Sequence, residues 1–361
     1  MIYLDNAATT PMNGEVIERV QETMQKCFAN SGTPYRIGLD AKRLIEKSAE
    51  SIAGYLQIPS THRLLFTSGG TESNNLFIKG LCFPDKKTAF LGLEHPSVTE
   101  SLAFFKQFGN DPLSLLPFQV EGRLDLNSIS TLNENRVKLL CLSHVNNELG
   151  TLNPDMWKGL AGYSISGHKI HGPKGIGLLV YDSRLGLSPQ MHGGKQQFGV
   201  RSGTLPLPLI MGLETAIQQA VERSEQNQKH LENLSRRLIQ GLKCLQDQQS
   251  ELNIRFNSLI DADATRQSPG MVNFSFSPVE GEVVLHHLEQ KDIFVGMGSA
   301  CSAQSKEPSK ILMGLGLNEE QARCSLRISF SENNTLEDVD QFLEAFGVAY
   351  QTLYPTFLQK A

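Results

Sequence analysis

The stretch YSISGHKIHGPKGIG, residues 163–177, places Lys169 among serines, glycines and histidines. Small residues let the backbone approach a bound group closely, while the hydroxyls and His168 supply hydrogen-bond donors. A lysine buried in such a pocket has its neutral amine favoured by desolvation, and the neutral amine is the form that reacts with carbonyl groups. An exposed loop lysine is the alternative interpretation if Lys169 is taken alone.

Composition limits the function classes that the chain can belong to. With 361 residues it exceeds the usual size of one hydrophobic core, so two domains are expected. The net charge is −5 and no basic run stands out, so no nucleic-acid binding is predicted. The N-terminus is unlike a signal peptide and the apolar runs are too short to span a bilayer, so no membrane association is predicted. Six scattered cysteines show no disulfide or zinc spacing, which indicates reduced thiols in the cytoplasm and no metal site.

The order of apolar runs predicts the fold class. Nearly continuous β-rich runs alternate with helix-length segments over the first two-thirds of the chain, which is typical of a mostly parallel α/β sheet. These runs are 63–69, 88–94, 137–145 and 175–181. Leucines from 231 to 245 then recur at three- and four-residue spacing, which predicts a long amphipathic helix. Beyond it an α+β unit is expected, with strands at 252–258, 271–277, 292–298 and 325–331 and helices at 279–290 and 335–353. The boundary between the two units is expected near 225–230.

Three polar motifs follow predicted strands. FTSGGTESNN, residues 66–75, places Gly70 and Thr71 at a helix start, where unpaired backbone N–H groups can bind a phosphate. His95 follows one strand end, and Asn147, in VNNELG, follows another. Binding sites in α/β proteins gather at the carboxyl ends of parallel strands, so we expect these residues to lie together. A purely structural histidine is the alternative for His95.

Further candidates lie in the second half of the chain. The segment HGGKQQFGVRSGT, residues 192–204, is too long and too rich in glycine for a plain turn. The segment GSACSAQSKEPS, residues 298–309, sets Cys301 among small polar residues, unlike the inert buried thiols expected at Cys141 and Cys244. Arg327, on the predicted strand SLRISFS, could offer its guanidinium to a carboxylate, and an arginine on the surface is the alternative.

Taken in order, these motifs resemble the cysteine desulfurases, pyridoxal-phosphate (PLP) enzymes of the class V aminotransferase group. The resemblance runs from YLDNAATTP at residue 3 to SLRISFS near residue 330, and SGHKIHGPKG and RSGT are its most specific motifs. It implies the type I fold of PLP-dependent transferases, in a homodimer. A large PLP-binding α/β domain would span 16–228. A small α+β domain would span 229–361, with 1–15 packed on it and an extended cysteine loop.

The resemblance also implies a role for each matched residue. Lys169 would bind PLP as a Schiff base and then carry protons. His95 would stack on the pyridine ring and assist proton transfer, and Asn147 would contact the hydroxyl side of the ring. Arg327, helped by Asn30, would bind the substrate carboxylate, and Cys301 would attack the substrate sulfur. The PLP phosphate would be held by Gly70, Thr71, Ser166, His168 and Thr204 of the partner subunit.

The implied activity is removal of sulfur from L-cysteine, giving L-alanine and a persulfide on Cys301. The sulfur would supply an iron–sulfur scaffold or a sulfur carrier for tRNA thiolation in the cytoplasm. Two alternatives remain open. One is a degenerate relative with weak or no PLP chemistry that acts through partners, and the other is a lyase acting on selenocysteine.

The chain departs from the family just before Lys169. There the family carries a helix and a strand with an HxDxxQ-like pattern, and this chain is shorter by roughly thirty residues, about one βαβ crossover. The missing aspartate pairs with the pyridine nitrogen in the family. Between residues 150 and 169 only Asp155 and Asn153 offer an acid and an amide. Tyr35 and Phe198 also stand where the family has histidine and arginine.

Overall fold

The structure is a computed structural model that describes residues 1–81, 86–92, 94–115, 122–124, 128–153, 159–262, 265–297 and 308–358. Its strands are β1 Ile2–Leu4, β2 His62–Thr67, β3 Thr88–Leu91, β4 Leu113–Leu115, β5 Leu139–Cys141, β6 Gly162–Ser166, β7 Gly177–Asp182, β8 Arg255–Phe256, β9 Met271–Ser275, β10 Ile293–Val295 and β11 Ser325–Ser329. All eight strand runs expected from the sequence are present, each somewhat shorter than expected.

The helices alternate with these strands. They are α1 Gly14–Lys26, α2 Arg36–Tyr55, α3 Gly70–Leu81, α4 Pro96–Ala103, α5 Ser128–Glu134, α6 Leu207–Glu222, α7 Ser224–Gln248, α8 Gly281–Glu289, α9 Lys310–Gly314, α10 Glu319–Arg323 and α11 Leu336–Leu358. The predicted amphipathic helix lies in α7, which buries Leu234, Leu238 and Leu242 on one face. Within the described residues, none of the helices combines the length and the apolar character needed to cross a membrane.

The strands of the first two-thirds form two three-stranded sheets. In one, β3 lies between β4 and β5 and runs parallel to both, as predicted. In the other, β7 lies between β2 and β6 and runs antiparallel to both. All six residues of β7 are buried, which explains its continuous apolar run.

Helix α3 joins the two sheets through its apolar residues. Leu76 packs in a cluster with residues of β2 and β7, whereas Ile78 packs in a cluster with α4 that extends to β3 and β5. Among the described residues, β5 and β6 form no ladder with each other, and each pairs on one side only. This break between β5 and β6 divides the described strands into two half-sheets, which α3 connects through its apolar contacts.

The C-terminal third builds a separate core. Strands β8, β9 and β11 form an antiparallel sheet, and β1 pairs in parallel with β10. Its hydrophobic cluster contains Ile2 and Leu4 together with residues from 234 onward, whereas the other large cluster lies between residues 41 and 217. The extreme N-terminus therefore packs on the C-terminal unit. The boundary at 228/229 stays a prediction.

Candidate active site

Lys169 ends a short 3-10 turn, Gly167–Lys169, that follows β6. A Cβ at Gly167 would meet the carbonyl oxygens of Ile176 and Pro173 at 3.0 Å, so the turn requires glycine there. Lys169 is exposed in the chain, and the expectation of a buried lysine was wrong for the isolated chain. Its Nζ nevertheless donates to two backbone carbonyls, those of Ala7 and of Ala8, the latter at 2.9 Å. These contacts hold the amine against the N-terminal segment.

The N-terminal segment 5–10 connects the Lys169 turn to the C-terminal sheet. Thr10 donates to the His168 carbonyl through its backbone N–H at 2.9 Å and its hydroxyl at 3.0 Å. The Thr9 hydroxyl lies 3.2 Å from Nδ1 of His168. On the other side, the backbone N–H of Ala7 donates to Oγ of Ser329 at 2.8 Å, at the end of β11. Residues far apart in sequence are thus brought together by a segment of six residues.

Arg327 lies in the middle of β11, and its side chain is 1% exposed, so it is not a surface arginine. Its Nη2 donates to Oδ1 of Asp5 at 2.5 Å and its Nη1 to the carbonyl of Asn147 at 2.6 Å. The Nε atom is buried and has no hydrogen-bond partner. The Nε–H group of this buried guanidinium can therefore donate to a further oxygen atom.

The segment that carries Cys301 begins and ends beside these residues. Gly296 exchanges both backbone hydrogen bonds with Arg327, at 2.6 and 3.0 Å. At the other end, the Ser309 hydroxyl donates to the carboxylate of Glu148 at 2.5 Å, next to Asn147. Cys301 itself lies outside the described residues.

The start of α3 forms a cradle against the end of β6. The backbone N–H of Gly70 donates to Oγ of Ser166 at 3.1 Å, and a Cβ at Gly70 would meet that oxygen at 2.4 Å. Thr71, in the first helical turn, is exposed. Arg201 forms a two-point ion pair with Glu72, at 2.8 and 3.2 Å, which brings the RSGT motif to the same helix start. Thr204 of that motif is exposed.

His95 follows β3 as the N-terminal cap of α4, where its Nδ1 accepts the backbone N–H of Ser97 at 3.0 Å. Burial, and to a lesser degree the charge of Lys169, lower the pKa of His95. The neighbouring Glu94 is buried and accepts from the backbone N–H and the hydroxyl of Ser143, at 2.6 and 2.5 Å. Burial raises the pKa of Glu94 to about 7. Its carboxyl joins the end of β3 to the end of β5.

Comparison with known proteins identifies the family. The class-V aminotransferase family model matches residues 2–156 and 159–342. The cysteine desulfurase IscS of Pseudoalteromonas translucida is 34% identical, covering 95% of this chain and 91% of the relative. The chain belongs to the cysteine desulfurase family. This membership confirms the family expected from the motifs and, at the level of the family, the predicted cysteine desulfurase activity.

Solved structures agree with the cysteine desulfurase assignment. A NifS-like protein from Rickettsia africae matches with a TM-score of 0.82 at 26% identity, covering 97% of this chain and 99% of that one. A structure titled "SspA in complex with cysteine" matches with a TM-score of 0.73 at 27% identity, covering 93% of this chain and 100% of that one. The predicted α/β fold of the type I PLP-dependent transferases is therefore confirmed.

The relatives also locate the shortened segment of this desulfurase. The alignment with the Pseudoalteromonas relative spans 385 positions, more than the 361 residues that the chain contains. The family match is interrupted between residues 156 and 159, just before β6. Asn153 does not replace the missing ring partner, because its amide binds the backbone N–H of Leu124 and the carbonyl of Ser143. Asp155 lies outside the described residues.

One expectation about side chains differs from the structure, and another stays a prediction. Asn30 is exposed and its Oδ1 accepts the backbone N–H of Gly32 at 2.9 Å, so its role at the substrate carboxylate stays a prediction. Cys244 is exposed and Cys141 is half-buried, so the expectation that both thiols are buried was wrong. Cys244 lies on α7, where its exposure follows from its position off the leucine face.

Several residues of the site were missed by sequence reasoning. Two acids were missed. Asp5 pairs with Arg327, and Glu94 joins two strand ends. Each lies beside a motif that drew attention to a different residue. The signal for Asp5 was an acid directly after the short run IYL, followed by small residues. For Asn74, Ser97 and Ser164 no signal existed, since their contacts join three separate elements.

Proposed function

We propose that this chain is a PLP-dependent cysteine desulfurase that converts L-cysteine to L-alanine and retains the sulfur as a persulfide. Membership of the cysteine desulfurase family supports this proposal. One structural neighbour bears a title that describes it in complex with cysteine. Lys169, Cys301, His95 and Arg327 stand at the positions that the resemblance assigns to the reacting groups.

The observation that carries the proposal is the bridge made by the N-terminal segment. Lys169 donates to the carbonyls of Ala7 and Ala8, and Arg327 donates to the carboxylate of Asp5. A reactive amine and a buried guanidinium are thereby fixed at two ends of one short segment. That is the arrangement needed to hold an amino acid by its carboxylate while its nitrogen is bound elsewhere.

The residues around the start of α3 fit PLP. The backbone N–H of Gly70 donates to the Ser166 hydroxyl oxygen, and a Cβ at position 70 would meet that oxygen, so both groups lie together at the positive end of a helix. Gly70, Thr71, Ser166 and His168 would hold the phosphate, with Thr204 contributed by the second copy of a homodimer. When bound, PLP accepts the electron density that develops at the substrate Cα.

The side chains of the site would divide the remaining work. The Lys169 Nζ would hold the cofactor covalently and then move a proton at the substrate Cα. Arg327 would bind the substrate carboxylate through Nε, which has no hydrogen-bond partner in the chain, and Asn30 would assist it. Asn147 and His95 would orient the reacting groups. His95 is held neutral because burial lowers its pKa.

Cys301 would carry out the sulfur transfer. Its thiolate Sγ attacks the substrate Sγ, a sulfur–sulfur bond forms, and the substrate Cβ–Sγ bond breaks. The electron pair of that bond goes to Cβ, which takes up a proton and leaves as alanine. The anchored ends of its segment, at Gly296 and Ser309, would keep the thiol within reach of Arg327 and Asn147.

The same structure favours slow turnover. The resemblance assigns no carboxylate among the described residues to the pyridine nitrogen, so the developing charge would be less well stabilised. The commitment of Asn153 to backbone groups supports this expectation. A degenerate protein that binds PLP weakly and acts through partners is the second candidate, and the break between β5 and β6 favours it.

The proposed setting of the activity follows the family resemblance. The chain would act as a homodimer in the cytoplasm and pass sulfur to an iron–sulfur scaffold or a tRNA-thiolation carrier. Its charge of −5 gives no basis for nucleic-acid binding.

The test measures alanine formation and sulfide release from L-cysteine in the presence of PLP and a thiol reductant. We expect Lys169→Ala to abolish both products, with Lys174→Ala, an exposed lysine of the same loop, as the control that retains them. Cys301→Ala should abolish sulfide release, whereas Cys244→Ala should retain it. Sulfide release that survives Cys301→Ala would exclude that residue as the nucleophile. Selenide release from selenocysteine, without sulfide release from L-cysteine, would favour the selenocysteine lyase.

A further inference from the structure

A chain of hydrogen bonds runs from β6 to His95 through side chains that have no part in the proposed chemistry. The Ser164 hydroxyl lies 2.7 Å from Oδ1 of Asn74, on α3. Nδ2 of Asn74 lies 2.8 Å from the Ser97 hydroxyl, on α4. That hydroxyl lies 2.9 Å from Nδ1 of His95. Three elements are thus connected to one nitrogen of the imidazole ring.

The hydrogen bonds between Asn74, Ser97 and His95 each have a fixed direction from donor to acceptor. Asn74 can only donate through Nδ2, so the Ser97 oxygen accepts from it and has its own proton left for His95. The backbone N–H of Ser97 also points at Nδ1 of His95, at 3.0 Å. Because a backbone N–H can only donate, this contact and the Ser97 hydroxyl both favour a neutral ring in which Nδ1 is unprotonated.

We propose that Asn74 and Ser97 are positioning residues that hold His95 as the Nε2–H tautomer, so that His95 offers the site a proton donor at Nε2. Burial and the Lys169 charge lower the pKa of His95, which keeps the ring in this neutral form near pH 7. A neutral ring that carries its proton on Nε2 can donate a hydrogen bond from that atom to a developing negative charge. It cannot accept a second proton there.

The role of this tautomer in catalysis rests on the proposed function, but the tautomer itself does not. The experiment therefore uses the whole chain without added cofactor, labelled with ¹⁵N at histidine. Ring nitrogen shifts distinguish the two tautomers, and the signals that vanish in His95→Gln identify His95 among the nine histidines. We expect a single Nε2–H pattern, and a Nδ1–H pattern would overturn the proposal.

The substitution Asn74→Asp tests the direction of these hydrogen bonds, because the aspartate side chain has the same shape as asparagine. A carboxylate at position 74 accepts the Ser97 hydroxyl proton, which turns the Ser97 oxygen into an acceptor for Nδ1–H. We expect a second, Nδ1–H set of His95 signals in this variant. Asn75→Asp makes the same charge change one residue along α3, where the amide donates to the Thr71 carbonyl, and should leave the His95 signals unchanged. Identical signals in Asn74→Asp and the parent would refute the role of Asn74.

Activity adds an independent readout. In Asn74→Asp, kcat for L-cysteine should fall at least about tenfold with little change in KM, because a ring in the wrong tautomer cannot donate a hydrogen bond from Nε2. If the parent chain shows the Nε2–H pattern but no activity, the tautomer proposal stands and the proposed function fails. If activity is present and unaffected by the substitution, His95 is not the donor.

Discussion

Arg327 shows how a single residue links stability to the site. Its guanidinium is 1% exposed, and its carboxylate partner, Asp5, is 21% exposed. A buried charge loses its hydration, and an opposite charge in contact offsets only part of that cost. The Arg327–Asp5 pair therefore fixes the position of β11 relative to the N-terminal segment. A substrate carboxylate would bind a guanidinium whose charge Asp5 already offsets in part.

Asp5→Asn should destabilise the chain by about 2–4 kcal/mol, because it leaves a buried guanidinium without its counter-charge. Urea unfolding measures the loss. Asp340→Asn removes the partner of Arg237 in an exposed pair, at 46% and 48% exposure, and should cost less than about 1 kcal/mol. Equal effects of the two substitutions would show that burial of Arg327 does not matter.

The raised pKa of Glu94 predicts that the free energy of unfolding depends on pH. Its pKa of about 7 in the folded chain exceeds the 4.5 of an unperturbed glutamate, so the folded state retains a proton that the unfolded state releases. The stabilisation is fully present below pH 4.5 and is lost as the pH rises through 7. Between pH 5 and pH 8 we expect the parent chain to lose about 2 kcal/mol more than Glu94→Gln, which does not titrate.

Urea unfolding of both proteins at the two pH values provides the measurement. Glutamine can still accept the Ser143 backbone N–H and donate to its hydroxyl, so the clamp between β3 and β5 is kept in the control. Parallel pH curves for the two proteins would mean that Glu94 is already ionised in the folded chain.

The strands β5 and β6 lie in two different three-stranded sheets, so the described strands do not form one continuous sheet. Strand β7 pairs on both sides, whereas β6 pairs with β7 alone among the described residues. Strands with an open edge direct alternate N–H groups away from the ladder. The open edges should therefore be the least protected part of the large unit.

Native-state hydrogen exchange tests this element. We expect the amides of β7 to be protected throughout, and alternate amides of β6 to exchange at least about tenfold faster. The amides of β3, which pairs on both sides, serve as a second reference. Uniform protection along β6 would show that another segment covers its edge.

Sequence patterns predicted the positions of helices and strands better than they predicted strand pairing and side-chain contacts. The run GLLVYD was recognisable as a buried strand, but its antiparallel direction depends on β2 residues that are 110 to 120 positions away. The stretch GYSIS has too few apolar residues to stand out, and the sequence analysis assigned no strand to it. Asp5 and Arg327 are 322 residues apart, so no local pattern could pair them. Lys169, Gly70 and His95 were predictable because their motifs are local.

At the scale of the whole molecule, two separate cores share the chain. Helix α7 begins at Ser224, and its buried leucines all belong to the C-terminal core. The predicted boundary at 228/229 would divide this helix. We propose that the break lies at Arg223, between α6 and α7.

Two core substitutions test the division. Ile210 and Leu238 are both fully buried, one in each core. Either residue changed to alanine should cost about 2–5 kcal/mol. Scanning calorimetry should show Ile210→Ala shifting one transition and Leu238→Ala the other. A single transition shifted equally by both would mean that the two cores unfold as one unit.

The central claim for the whole molecule is that Lys169 binds PLP covalently despite the missing acid. The most direct measurement is to incubate the chain with PLP, reduce it with borohydride, digest it and map the modified peptide by mass spectrometry. We predict a pyridoxyl-phosphate adduct on Lys169, formed also in Cys301→Ala and absent in Lys169→Ala. No adduct on residue 169, or an adduct spread equally over exposed lysines such as Lys174, would contradict the account.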